Sequence, residues 1–161
     1  MSPRAAWRLE SIGFTRVYDY VAGKADWGSF GLPLEGRVDA RTRVASLARA
    51  DAPTCRRLDE RVPDVLERVA DDWQICVVTN DENVVLGLLG RRALRSSEDK
   101  RVEDAMTAGP CTIRPSARLD PIAKRMRDQN LTRVVVSRSD GVLIGVLRRE
   151  DLEATDYDGA S

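Results

Sequence analysis

The chain has 161 residues, with 26 basic and 26 acidic side chains and no histidine. Balanced charge gives no electrostatic attraction toward nucleic acid or an anionic membrane, so neither is an expected partner. The lack of histidine excludes triads, general bases and metal sites that depend on an imidazole, and we expect no metal site.

The cysteines and the apolar segments indicate a cytoplasmic protein. No CxxC pair is present, and we interpret Cys55, Cys76 and Cys111 as small buried side chains in or beside strands. The most apolar run, residues 84–89, is too short to span a bilayer, and no signal peptide is recognisable.

Residues 1–36 form a head that is rich in aromatic side chains, and a polar connector follows at residues 37–43. A segment this short cannot bury so much aromatic area alone, so we expect it to dock on the rest of the chain or on a partner. The aromatic residues concerned are Phe14, Tyr18, Tyr20, Trp27 and Phe30.

The remainder of the chain is a tandem repeat. Residues 83–94 and 141–152 superpose without a gap at an offset of 58 residues. A repeat of this length predicts two similar units that bury apolar faces against each other. We assign the repeats to residues 44–97 and 98–154, and we expect the tail at 155–161 to be disordered.

The first repeat predicts a helical lead-in at 44–48, a short strand at 53–55 and an amphipathic helix. A hairpin of residues 75–79 and 84–89 and a final helix from Arg91 follow. The helix is predicted from apolar residues at i, i+3, i+4 and i+7, namely Val62, Val65, Leu66 and Val69.

The second repeat predicts the same elements: a lead-in at 102–106, a strand at 110–113, a helix, a hairpin of 134–137 and 142–147, and a last helix from Arg149. Its helix carries the same apolar spacing in Leu119, Ile122, Ala123 and Met126, with Asp120 as a candidate cap. The Asp-Gly pair at 140–141 is a strong hairpin signal. Strands this rich in Val, Leu and Ile indicate burial on both faces.

The stretch 133–152, with 102–107, Pro110 and the helix at 119–129, resembles the CBS domain. Residues 44–95 are a weaker match, so the pair resembles a Bateman module. The resemblance implies an α+β fold of tandem β-α-β-β-α CBS repeats packed about a pseudo-twofold axis, here with a small N-terminal α/β extension. It also implies a homodimer and clefts that bind AMP, ADP or ATP, or alternatively S-adenosylmethionine, with no cofactor required.

Residues 5–27 and Gly31-Leu32-Pro33 resemble the C-terminal end of a rhodanese domain. In rhodaneses this segment follows the loop with the sulfur-carrying cysteine, but no cysteine precedes Cys55 here. We therefore expect the nucleophile that sulfur transfer requires to be absent. We expect no catalytic residues and no enzyme, with a sulfurtransferase as the remote alternative.

Nucleotide sites in the resembling family use a hydroxyl residue after the last strand and, three positions later, an Asp that accepts both ribose hydroxyls. The corresponding residues are Gly90 and Ala93 in the first repeat, and Arg148 and Asp151 in the second. Losing such a contact costs about 1.5–3 kcal/mol. The resemblance therefore implies a poor first cleft and a second cleft that keeps only the carboxylate.

In the second cleft we expect Asp151 on the ribose and Arg148, Arg133 or Arg149 near phosphate. The candidate lining residues are Cys111, Thr112 and Ile113 on one strand, with Val134 and Val135 as an apolar wall. Two alternatives stay open: Arg148 equally fills the cleft by pairing with Asp151, and the lining residues are equally well explained as core.

These observations predict a regulatory module that senses an adenine nucleotide and acts on a separate effector protein. The alternative is a structural or protein-interaction module, such as a dimerisation module, that has lost ligand binding.

Overall fold

The computed structural model describes residues 3–18, 20–21, 23–24, 27, 43–96 and 99–158. The chain divides into two compact units, Met1–Arg41 and Thr42–Ser161. In the described ranges, no helix has both the length and the apolar character needed to cross a membrane.

The first unit contains helix α1 (Pro3–Ser11), and the rings of Tyr20 and Trp27 meet edge to face with centroids 5.4 Å apart. Residues 28–42, which include Phe30 and most of the connector, lie outside the described residues. The docking of the head and its likeness to rhodaneses stay predictions.

The second unit contains both repeats in the predicted β-α-β-β-α order. The first comprises a 3₁₀ turn (Val44–Ser46), β1 (Thr54–Cys55), α2 (Val62–Leu66), β2 (Cys76–Thr79), β3 (Val85–Leu89) and α3 (Arg91–Leu94). The second comprises α4 (Val102–Ala105), β4 (Thr107–Ala108), β5 (Thr112–Ile113), α5 (Leu119–Asp128), β6 (Arg133–Ser137), β7 (Leu143–Arg148) and α6 (Arg149–Asp158).

The strands form one sheet in the order β1-β2-β3-β4 and another in the order β5-β6-β7. Both predicted hairpins, β2–β3 and β6–β7, are antiparallel, and each has a register shift at the same place, between Val78 and Thr79 and between Val136 and Ser137. The first strand of each repeat instead pairs in parallel with the strand after its helix.

The hairpin turns relate the repeats by a pseudo-twofold axis, as predicted. Val84 bridges Val142, its own counterpart at the offset of 58. The Val85 amide donates to the Gly141 carbonyl at 3.0 Å, and the Leu143 amide donates to the Asn83 carbonyl at 2.9 Å. Exchanging the two repeats converts each of these hydrogen bonds into the other.

The two lead-ins are exchanged between the repeats. The Val44 amide donates to Ala117 of the second repeat, and the Val102 amide donates to Glu60 of the first, both at 2.9 Å. Val44 is buried in the core cluster of the second repeat, whereas Val102 is buried in that of the first. Each lead-in therefore completes the core of the other repeat.

A third apolar cluster joins the repeats. Ala52, Trp73, Ile75 and Val77 of the first repeat pack with Val135 and Val146 of the second. Neighbouring residues of the same strands, such as Val136 and Leu147, face the other core clusters. The predicted burial of the central strands on both faces is confirmed.

Two helix predictions are wrong in detail. Helix α2 ends at Leu66, because the next amides bond three residues back, Arg68 to Val65 and Val69 to Leu66, which leaves Leu66 exposed. Asp120 is not the cap of α5, since the helix begins at Leu119 with Arg118 as N-cap, and Asp120 instead pairs with Arg118 at 3.0 Å.

Two further differences concern Cys111 and the tail. Cys55 and Cys76 are buried as predicted, but Cys111 is exposed and lies just before β5, which begins at Thr112. Helix α6 continues to Asp158, four residues into the segment predicted as a disordered tail, and residues 159–161 lie outside the described residues.

Candidate functional site

Arg148 and Asp151 lie together at the junction of β7 and α6. Because the helix begins directly after the strand, residues three apart fall on the same side of the junction. Arg148 Nε donates to Asp151 Oδ2 at 2.9 Å and Nη2 donates to Oδ1 at 2.8 Å, with the two side chains only 11% and 19% exposed. Of the two alternatives for Arg148, the structure has the one in which it pairs with Asp151.

The first repeat also holds the Arg148 guanidinium. Its central carbon lies 5.3 Å from the centroid of the Trp73 ring, within the range of a cation–π contact. Asp72 Oδ2 lies 3.6 Å from Arg148 Nη1. Asp72 and Trp73 lie in the loop before β2, so a loop of the first repeat contacts the ion pair of the second.

Arg133 belongs to the same network. It lies directly opposite Arg148 in the β6–β7 register, and Glu150 Oε1 lies between the two like charges, 3.0 Å from Arg133 and 3.2 Å from Arg148. Arg133 Nη2 also donates to the Asp72 carbonyl at 2.9 Å. The network thus links both arginines of the second repeat to the loop at Asp72 and Trp73 of the first.

The electrostatics favour a fully charged pair. The hydrogen bond from Arg148 lowers the pKa of the Asp151 carboxyl and outweighs desolvation, which acts in the opposite sense. The charges of Arg49, 3.9 Å away, and Arg133 also lower this pKa. The same hydrogen bond raises the pKa of Arg148.

We expect this pair to make stability depend on acid. Because the folded pKa of Asp151 is depressed, its contribution is complete above the unfolded pKa of about 3.9 and is lost as the pH falls through the folded value. Asp151→Asn should reduce the free energy of unfolding by about 1–2 kcal/mol at pH 7 and by less at pH 2–3. Urea denaturation across this pH range measures the difference.

Asp59→Asn is the matched control, because the Arg57–Asp59 pair is also bidentate but its side chains are 74% and 63% exposed. An exposed pair contributes little, so this variant should follow the wild type within about 0.5 kcal/mol. If Asp151→Asn showed the same acid dependence as the wild type, the carboxylate would not stabilise the fold through its charge.

The predicted lining residues are divided between the core and other contacts. Ile113 is buried in the core cluster of the second repeat, and Val134 packs against that cluster. Thr112 Oγ1 accepts a hydrogen bond from Ser137 Oγ at 2.7 Å. The core interpretation therefore describes Ile113 and Val134.

Arg149 contacts residues outside the ion pair. Its guanidinium donates to Asn130 Oδ1 at 3.1 Å and lies 3.7 Å from Glu153. Of the predicted site residues, Arg133, Arg148 and Asp151 thus lie together in one network.

An open cavity lies beside the start of α3 in the first repeat. It has a volume of about 510 Å³ and contains Gly90 and Ala93, the counterparts of Arg148 and Asp151. A Cβ atom on Gly90 would meet nothing within 4 Å. The lining residues are Val62, Gly90, Arg92, Ala93, Ser96, Lys100, Asp104, Ala105 and Thr107.

Sequence reasoning missed this cavity because it equated the loss of a ribose-binding group with the loss of a site, whereas small residues also leave space. It also missed Asp72, Trp73, Glu150 and Arg49. The repeat offset offers a clue to Arg49, because Arg49 is the counterpart of Thr107 at the offset of 58. Thr107 lines the cavity beside Gly90 and Ala93. Nothing in the sequence pattern points to Asp72 or Trp73.

No group of three or more Cys, Asp or Glu residues within the described ranges is arranged to hold a metal ion. Residues 102–154 match the family model of the CBS domain. A search of curated proteins finds no significant match to the chain.

Solved CBS structures share the fold. CBSX2 in complex with AMP has a TM-score of 0.63 and 21% identity over 74% of this chain and 98% of that chain; CBSX2 is a CBS-pair protein from Arabidopsis thaliana. The cytosolic domain of the Mg²⁺ channel MgtE in complex with ATP has a TM-score of 0.62 and 20% identity over 70% of this chain, which spans only 48% of that one.

The CBS domain pair of protein MJ0100, in complex with 5′-methylthioadenosine and S-adenosyl-L-methionine, has a TM-score of 0.61 and 16% identity over 75% of this chain and 99% of that chain. At these identities the likeness establishes the fold, an α+β tandem of CBS-type repeats.

Proposed function

We propose that this chain, whose fold is that of a CBS pair, is a non-catalytic regulatory module that binds an adenine nucleotide in the cleft of its second repeat. The observation that carries the proposal is Asp151, a charged carboxylate at the β7–α6 junction with arginines beside it. A carboxylate in this position accepts hydrogen bonds from both hydroxyls of a ribose. The fold neighbours with AMP, ATP or S-adenosyl-L-methionine bound support an adenine-containing ligand.

The arginines would serve the phosphate. Arg148 and Arg133 lie on adjacent strands and share Glu150, so their guanidinium groups approach one point. Guanidinium forks match phosphate oxygens in geometry and charge. Arg149 and the edge formed by Cys111 and Thr112 complete the proposed site, with Ile113 and Val134 as its apolar backing.

The nucleotide must compete with the internal ion pair. Opening a charge-assisted pair costs about 1.5–3 kcal/mol, which weakens binding roughly ten- to a hundredfold without preventing it.

AMP, ADP or ATP at a hundred times its dissociation constant should add about 2.7 kcal/mol of apparent stability, or a rise in Tm of about 5–10 °C. A thermal-shift screen of the full chain that includes adenosine and S-adenosylmethionine measures this. The rise should disappear in Asp151→Ala and persist in Asp59→Ala, whose carboxylate is 63% exposed.

A ligand-free interaction module is the second candidate, and the Arg148–Asp151 pair itself favours it because the carboxylate already has a partner. In that case no nucleotide would shift the Tm of the wild type. Light scattering would then give a homodimer mass that is independent of added nucleotide, and the search would turn to a separate effector protein.

A further inference from the structure

We infer that Arg148 is a latch on the second cleft, which admits adenine ligands that carry a phosphate in preference to neutral nucleosides. This inference rests on the proposed function, since it describes how that site would be regulated. It concerns a contact inside the chain that has no counterpart in the first repeat, where the equivalent residues are Gly90 and Ala93.

The latch uses the same atoms as the ligand. Arg148 Nε and Nη2 each occupy one oxygen of Asp151, at 2.9 and 2.8 Å. A ribose diol that binds a carboxylate with both hydroxyls requires the same two oxygens. The guanidinium fork and the ribose therefore compete for these oxygens, and full contact of the diol with the carboxylate is favoured when Arg148 leaves Asp151.

Release leaves Arg148 with weaker partners. Glu150 lies 3.2 Å away but also pairs with Arg133, and Asp72 lies at 3.6 Å with 62% of its side chain exposed. A desolvated guanidinium without a bidentate acceptor loses free energy. A ligand phosphate supplies that acceptor. Adenosine also binds the carboxylate, but it has no anionic group to accept the hydrogen bonds of Arg148.

Trp73 keeps the released guanidinium near the cleft. The buried ring lies against Arg148 from the first repeat and is itself fixed in the cluster that joins the repeats. The cationic group can therefore move from carboxylate to phosphate without returning to solvent. The same contact transmits the movement of Arg148 to the first repeat.

The test compares AMP with adenosine by titration calorimetry on the full chain. The wild type should bind AMP at least tenfold more tightly than adenosine. In Arg148→Ala, adenosine should bind about tenfold more tightly than to the wild type, and the preference for AMP should fall below about threefold. Arg148→Gln keeps most of the packing on Trp73. Its affinities for AMP and for adenosine should each change in the same direction as in Arg148→Ala, but by a smaller factor.

Arg57→Ala removes a bidentate but exposed guanidinium and should leave both affinities unchanged. If adenosine bound wild type and Arg148→Ala equally, the latch would be wrong while the nucleotide site stood. If neither AMP nor adenosine bound the wild type or the two Arg148 variants, the nucleotide site itself would be wrong. Binding of adenosine to Arg148→Ala but not to the wild type, with AMP bound by both, would support the latch.

Discussion

Gly145→Ala is expected to lower the free energy of unfolding by about 3 kcal/mol, or the Tm by about 10 °C. Gly145 lies buried in β7, and a Cβ atom there would overlap the carbonyl oxygen of Arg49 and lie 2.8 Å from its carbonyl carbon. This is backbone, held by reciprocal Arg49–Val146 hydrogen bonds of 2.9 and 3.0 Å. The added methyl group must therefore displace the lead-in from the sheet.

Gly87→Ala is the internal control, because Gly87 is the counterpart of Gly145 at the offset of 58. The atoms nearest to its Cβ would all belong to the side chain of Met106, with Cγ at 3.0 Å. A flexible thioether can move, so we expect a loss of about 1 kcal/mol. Chemical denaturation of both variants measures their free energies of unfolding. Equal decreases would mean that the lead-in backbone is displaced as easily as a side chain.

Trp73→Ala should lower the free energy of unfolding by about 4 kcal/mol. The side chain is 5% exposed and packs with Val135 and Val146 of the other repeat, so its removal opens a cavity between the repeats. Arg148 also loses the ring that lies beside its guanidinium. Hydrogen exchange should show protection lost from β2 and from β7 together.

Trp73→Phe separates these contributions. Phenylalanine fills part of the cavity and keeps an aromatic face toward Arg148, so about half the loss is expected. If Trp73→Ala lost hydrogen-exchange protection only in the first repeat, the cluster would not hold the repeats together. A decrease in its free energy of unfolding below about 1 kcal/mol would lead to the same conclusion.

The repeat, the hairpins and the twofold relation were predictable because they follow from local sequence patterns. Val84 and Val142 occupy equivalent positions in two superposable apolar runs, and each run is broken by a turn residue with positive φ, Asn83 at 63° and Gly141 at 85°. Continuous Val, Leu and Ile strands bounded by such turns allow few other arrangements.

The exchange of lead-ins was not predictable in the same way. Both repeats offer an equivalent sheet edge and an equivalent gap in the core, so sequence spacing does not say which one Val44 or Val102 fills. The prediction for α2, the helix after β1, was wrong for a different reason. Val62, Val65, Leu66 and Val69 fit a helical period, but the chain tightens after Leu66 and leaves that side chain 40% exposed.

The candidate site was half predictable. The spacing of Arg148 and Asp151 allowed their pairing, but the choice between that pair and an open carboxylate depends on surroundings. Asp72 and Trp73 come from a loop far earlier in the chain and reach Arg148 only through the packing of the two sheets. No linear pattern contains that contact.

The exchange of lead-ins also means that the two repeats cannot be separated by cutting the chain between them. A fragment that begins at residue 99 would carry Val102 and β4 with no β3 to receive them, while its own core would lack Val44. The cavity of the first repeat is lined by Asp104, Ala105 and Thr107, which belong to the second. We therefore expect the two repeats to unfold together, as one cooperative body.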